Sequence, residues 1–330
     1  MANRFGLVAS ACATALIASA GASAQEKFTY LTNWYAQAEH GGFYQSVADG
    51  TFKKLGLDVT IRMGGPQVNG MQLLAAGQVD CFMGYDAQTM KGWEQGIKAV
   101  TVAAAFQKDP QVIIAHPHIK KFEELKDKTI LISSAANTTY WPWVKSKYGF
   151  TDAQARPYTF NIQPFVADKN IAQQGYLSSE PFAIEKEAGF KPTVFLLADL
   201  GWPQYSTTIV CMEDTLKKKP QAVAAFVRGS MEGWKNYLWG NPAAANALIK
   251  KDNPNMTDDK LAHGIAIMKQ MGIVDSGDTK TMGIGIVTDA RMKQFYDFMV
   301  ANKMLDPTKV KATDTYNTSF VKDLKIMAPK

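Results

Sequence analysis

Cysteine is scarce in this chain, and charge of one sign is nowhere concentrated. Three cysteines, Cys12, Cys81 and Cys211, stand in 330 residues. They fit no metal-ligand spacing, and a chain of this length buries a core without disulfide staples. Charged residues make up 20% and the net charge is +6, with no Lys or Arg run long enough for a nucleic-acid tail. Lys217-Lys218-Lys219 reads as a solvated lead-in to a helix. His116 and His118 flank Pro117 without a third ligand nearby, which argues for extended chain rather than a metal site. There is no G-x-S-x-G, no P-loop and no HExxH, no internal repeat, and no low-complexity segment beyond the N-terminus. What is present excludes disorder: 46% hydrophobic and 11% aromatic residues are ample for a packed core. The length allows one large domain or two ordinary ones.

The N-terminus reads as an address. Arg4 is followed by an Ala-rich apolar run, Phe5 to Ala20, and by the small residues Ala22-Ser23-Ala24. That order predicts a secretory signal peptide, residues 1–24, cut after Ala24. No later run is long and apolar enough to span a bilayer, so the expectation is a soluble, exported protein. Cys81 and Cys211 would remain. Both sit in apolar runs, so they read as buried free thiols, with a disulfide the alternative outside the cytosol.

Along the rest of the chain, short β-type runs alternate with helical periodicity. Strands are expected at Lys27–Leu31, Leu57–Met63, Val79–Met83 and Lys98–Phe106, with helices between them. A strand at Val112–Ala115 leaves this unit. A second unit follows, with strands at Thr129–Ile132 and Thr193–Leu197. Thr207–Cys211 reads as a return strand, and the chain is helical from Pro220 onward. Alternating strands and helices imply parallel α/β sheets.

Four linked pieces then resemble one family. They are Asn33-Trp34-Tyr35 with His40-Gly41-Gly42-Phe43-Tyr44; the turn Gly64-Gly65-Pro66; Leu73 to Asp80; and Gly175 to Phe182, which holds the pair Glu180-Pro181. Together they resemble periplasmic substrate-binding proteins of ABC importers, in the branch of NMT1/THI5-like thiamine-precursor, sulfonate and nitrate binders. The resemblance implies an α/β fold of two lobes (type II-like), with parallel-rich sheets flanked by helices and a ligand cleft between the lobes. Lobe 1 would be discontinuous, 25–115 plus 208–330, and lobe 2 would be 116–207. Closure would be a hinge motion.

Open parallel sheets bind ligands beyond the C-terminal ends of their strands, which selects the candidates. Trp34 and Tyr35 would form an aromatic wall, beside Asn33, or else pack helix against sheet. His40 corresponds to a ligand-contacting His in the resembling family, or merely caps a helix. Gly64 and Gly65 let backbone approach a ligand. Asn69 reaches into the cleft or caps its own helix. Tyr85 and Asp86 follow the glycine turn at Gly84. From the second lobe, Ser133, Asn137, Thr138 and Tyr140 are candidates, Ser133 bonding turn backbone or a ligand anion. Glu180 stands in an uncharged stretch and suits a ligand with N–H donors or a positive ring. Trp202 closes over ligand or packs the hinge.

The function expected is capture of a small aromatic N-heterocycle, pyrimidine-like, for an ABC permease and ATPase. No cofactor and no nucleic acid are expected, and the chain is expected to be a monomer. A flavin-like solute or an organic anion such as a sulfonate or nitrate is the alternative, as is delivery to a sensor rather than an importer. A catalyst like the fungal pyrimidine synthase, which has the same fold, is disfavoured. That enzyme carries a Cys-rich iron segment, and the matching stretch Asp80-Cys81-Phe82-Met83-Gly84 has one cysteine.

Overall fold

In the computed structural model, residues 25–329 are described; the expected signal peptide lies outside them. Ten strands form two five-stranded sheets. The strands are β1 (Glu26–Leu31), β2 (Leu57–Arg62), β3 (Cys81–Gly84), β4 (Ala99–Phe106), β5 (Gln111–Ala115), β6 (Thr129–Ile132), β7 (Ala155–Pro157), β8 (Ile171–Tyr176), β9 (Thr193–Leu196) and β10 (Ser206–Met212). The first sheet runs β2-β1-β3-β10-β4 and the second β7-β6-β8-β5-β9. In each sheet four strands share one direction, and the fifth, β10 in the first sheet and β5 in the second, lies antiparallel to both its neighbours.

Every residue of β4 is buried, although it ends the order of its sheet. The C-terminal chain covers its open edge: Thr101 N–H donates to Thr315 O (2.9 Å), Asn317 N–H to Thr101 O (2.9 Å) and Ala104 N–H to Gly285 O (3.0 Å). Those bonds occupy an edge that would otherwise template pairing with another chain.

The 20-residue helix Pro220–Trp239 carries the core of the first lobe. Its Phe226 packs against Phe28, Tyr30, Phe43 and Phe52. The glycines that follow His40 serve this packing. A Cβ on Gly233 would lie 2.0 Å from the Gly42 carbonyl oxygen, so helices 41–48 and 220–239 can touch only through glycine.

The chain passes between the sheets twice, at Gln107–Pro110 and Leu197–Tyr205. The boundary expected at 115/116 puts β5 in the first lobe. Its pairing with β8 and β9 puts it inside the second sheet, so the first passage falls just after Phe106. The two passages are tied together. Gln204 Nε2 donates to Asp109 Oδ2 at 2.6 Å, and Tyr205 N–H donates to Asp86 Oδ2 at 3.0 Å. Arg291 donates to the Gln107 carbonyl and lies 3.9 Å from the Tyr205 ring centroid.

Two features depart from the sequence reading. Cys81 and Cys211 are not free thiols: they form a disulfide. They face each other in the antiparallel register of β3 and β10, a pairing created by a strand that returns 130 residues later. Strand β8 was not expected at all. Its buried residues include Gln173 and Gln174, so it lacks the apolar alternation that announces a strand.

Candidate ligand-binding site between the sheets

The C-terminal ends of β1, β3, β6 and β8 converge on one cleft. Asn33 and Trp34 follow β1, Tyr85 follows β3, Ser133 follows β6, and Gly175-Tyr176 end β8. Glu180, Tyr140, Thr139, Gln37, Gln111, Gln174 and Gln204 complete the wall. The cavity they enclose measures about 30 Å³, room for one or two waters and not for an aromatic ring. The lobes are closed on one another.

A hydrogen-bond chain runs across the closure. Gln37 N–H donates to His40 Nδ1 (3.2 Å), so the proton of this ring sits on Nε2 and is donated to Asn33 Oδ1 (3.3 Å). Asn33 Nδ2 donates to the Tyr85 hydroxyl oxygen (2.8 Å), and the Tyr85 hydroxyl is hydrogen-bonded in turn to the Tyr176 hydroxyl of the second lobe. Burial lowers the His40 pKa to about 3, so the ring stays neutral and the chain keeps its direction. The aromatic wall is also shared: Trp34 stacks on Tyr158 with centroids 5.9 Å apart, and Phe160 meets both Trp34 and Tyr35.

On the second lobe, Gln174 Oε1 accepts from Ser133 N–H (2.6 Å) and Tyr140 OH (3.0 Å). Glu180 opens the helix Glu180–Ala188, where Pro181 suits the first turn. Its carboxylate accepts from Tyr176 N–H (2.8 Å) and Tyr158 OH (3.2 Å). Gly175 makes room for this, because a Cβ there would lie 2.9 Å from Glu180 Cβ. Burial, chiefly, pushes the Glu180 pKa up to about 7, and the charge of Glu39 adds to the shift.

Of the candidates read from the sequence, Asn33, Trp34, Tyr85, Ser133, Tyr140 and Glu180 line the cavity. His40 stands behind Asn33, and Tyr35 beside Trp34. The others have different work. The Gly64 Cα lies so close to Thr32 that a Cβ would sit 2.1 Å from its carbonyl oxygen, and Gly65 backs onto the Tyr35 ring. Asn69 is exposed and caps its own helix, accepting from Gln72 N–H at 3.1 Å. Asn137 and Thr138 are exposed and bond to carbonyls of their own turn. Asp86 is fully buried under Tyr205. Trp202 is buried among Trp143, Phe295 and Phe298 at the second passage. The sequence reading missed Gln37, Thr139, Gln111, Gln174, Gln204 and the role of Tyr176. A glutamine carries no signal of its own; only the strand ends beneath these residues could have pointed to them.

Two α/β lobes joined by two passages, with a polar cleft at the strand ends, define the periplasmic binding protein fold. Residues 37–245 match the family described as NMT1/THI5 like, and the chain belongs to that family. No curated protein matches it. Among solved structures it is similar to the ligand-binding component of an ABC-type import system from Staphylococcus aureus (12% identity, TM-score 0.65, 91% of this chain and 99% of that one). It is also similar to the alkanesulfonate-binding protein SsuA from Xanthomonas axonopodis pv. citri bound to MOPS (12%, 0.62, 89% and 99%). The same fold carries an enzyme as well: the desulfurization enzyme DSZB is 9% identical, with TM-score 0.55, over 91% of this chain and 99% of that one.

Proposed function

We propose that this protein is an exported solute-binding protein of the ABC-importer type, and that its solute is a neutral or cationic aromatic N-heterocycle of pyrimidine size. The observation that carries the reading is the polarity of the cleft. Among the described residues lining it there is neither Lys nor Arg, and its one charged side chain is Glu180. The Oε1 atoms of Gln37 and Gln204 are buried with no hydrogen-bond partner among the described residues. For Gln204 the orientation is fixed chemically, since only its NH₂ can donate to Asp109. A buried acceptor left unpaired costs about 1–3 kcal/mol. A solute rich in N–H donors satisfies all three groups, and Trp34 and Tyr158 offer faces for its ring.

The same cleft suits an anion poorly. The backbone N–H groups that an oxyanion would use are already engaged: Ser133 N–H by Gln174 and Tyr176 N–H by Glu180. Binding rather than catalysis is supported by Cys81, the one counterpart of the iron-binding cysteines of the related synthase. It is bonded to Cys211 and is not a free thiolate. That disulfide also supports residence outside the reducing cytosol; the partners inferred, a permease and an ATPase, rest on the likeness to importer binding components.

The cavity in the closed form is smaller than such a ring, so entry requires the lobes to part at the two passages, with reclosure on the solute. The test is isothermal titration of the protein and its Glu180→Gln variant with 4-amino-5-hydroxymethyl-2-methylpyrimidine. Loss of a charged hydrogen bond of about 1.5–3 kcal/mol corresponds to a weakening of roughly 10–100-fold. Equal affinity of the two proteins contradicts the placement of the solute against Glu180.

A further inference from the structure

A second crevice adjoins the cleft and is far larger, about 370 Å³, within the range of small-molecule sites. It opens between the lobes and shares Gln37 and Glu180 with the first cavity. Tyr158 and Phe160 form one wall, Ser178 and the first turns of helix Glu180–Ala188 another, and Glu39 lies on the 3-10 turn Ala38–His40. Glu39 is almost wholly buried. Its described partner there is a neutral hydroxyl, Ser178 Oγ, from the opposite lobe. The cation in the crevice, Lys260, is already paired with Glu187 at 2.9 Å.

We propose that this crevice is a second subsite, which takes a cationic or multiply N–H-bearing substituent of the solute, such as a primary ammonium or amidinium group, between Glu39, Glu180 and the Gln37 carbonyl oxygen. Three observations converge. Two carboxylates face one space closely enough for Glu39 to raise the proton affinity of Glu180. No described Lys or Arg side chain pairs with either one. The third group, Gln37, is 3% exposed and presents an acceptor oxygen without a partner. All three offer lone pairs, and Gln37 and Glu180 belong to both spaces, so one solute can bridge them. Its ring would lie by Trp34 and Tyr158 and its charged arm would reach Glu39. The subsite thus rests on the heterocycle reading and extends it, by assigning the solute a positive arm.

The test uses two pyrimidines of one shape, 4-amino-5-aminomethyl-2-methylpyrimidine, whose arm is cationic at pH 7, and its neutral 5-hydroxymethyl counterpart. Calorimetric titration of the full chain should give at least tenfold tighter binding of the amine. The Glu39→Gln variant should lose that preference, the amine weakening at least tenfold more than the alcohol, and a thermal melt matching that of the unaltered protein shows that the variant is folded. Equal binding of amine and alcohol by the unaltered protein overturns the subsite and leaves the heterocycle reading intact. An equal loss of both ligands in Glu39→Gln also overturns it, because Glu39 then acts through the fold alone. Binding of neither compound overturns the subsite and the heterocycle reading together.

Discussion

The disulfide between β3 and β10 should be the largest single covalent contribution to stability, and its removal should follow a distinctive arithmetic. It joins residues 130 apart, and the closed loop contains β4 and the whole second sheet, β5 to β9. Cross-linking the unfolded chain over a loop of that length removes entropy worth about 5 kcal/mol at 25 °C. The perturbation is Cys81→Ala, Cys211→Ala and the pair, with alanine chosen because both sites are fully buried and a serine hydroxyl there would go unpaired. Opening the loop takes only one substitution. Each single variant should therefore lose about 5 kcal/mol, and the double variant little more, a strongly non-additive pattern. Urea unfolding of the oxidised protein, followed by tryptophan fluorescence and far-ultraviolet dichroism, measures it. Alkylation of the protein lacking residues 1–24, and with them Cys12, after denaturation without reductant should label no thiol. Additive losses of about 1 kcal/mol or less per site, with two thiols labelled, would mean that the cysteines merely pack side by side, and would refute the reasoning.

Two further predictions concern closure. Burial raises the pKa of Asp86 to about 7, of Asp109 to about 6 and of Glu180 to about 7. These groups hold protons in the fold that the unfolded chain releases from about pH 4 upward, so stability falls as pH rises from about 4 to 7, by up to about 4 kcal/mol for the largest shift, that of Asp86. Differential scanning calorimetry should give a higher melting temperature at pH 5 than at pH 8, and Asp86→Asn should flatten the slope; a melting temperature that climbs over that range contradicts the assignment. Tyr176→Phe removes the hydroxyl that is hydrogen-bonded to Tyr85 across the cleft, a bond worth about 1 kcal/mol. The variant should populate a more open form, seen as a larger radius of gyration by small-angle X-ray scattering without ligand, and an unchanged radius would deny the bond a part in closure.

The sequence disclosed most of the architecture because most of it is apolar pattern. β4, with eight buried residues in a row, and the helix Pro220–Trp239 were legible at once. β8 was not, since glutamines occupy its buried positions, and one of them, Gln174, faces the cleft. The site itself was legible where a chemically distinct residue follows a strand, as at Trp34, Tyr85 and Glu180. It was illegible where long-range packing decides. Asp86 looks the same as Tyr85 in sequence, one residue on. Yet the structure buries Asp86 against Tyr205, 119 positions away, and turns Tyr85 into the cleft. Asn137 and Thr138 follow the right strand but fold into a turn that satisfies itself. The disulfide belongs to the same class: its two halves become neighbours only through the order β3-β10-β4.

The central claim is that a cleft of acceptors without described Lys or Arg lining selects a donor-rich heterocycle. A thermal-shift measurement on the protein lacking residues 1–24 tests it most directly, with aminopyrimidines on one side and nitrate, taurine and alkanesulfonates on the other. Ligand that binds the folded state alone raises the melting temperature by mass action. The account predicts a rise with an aminopyrimidine and none with the anions. A rise with the sulfonates or nitrate and none with any heterocycle would contradict it.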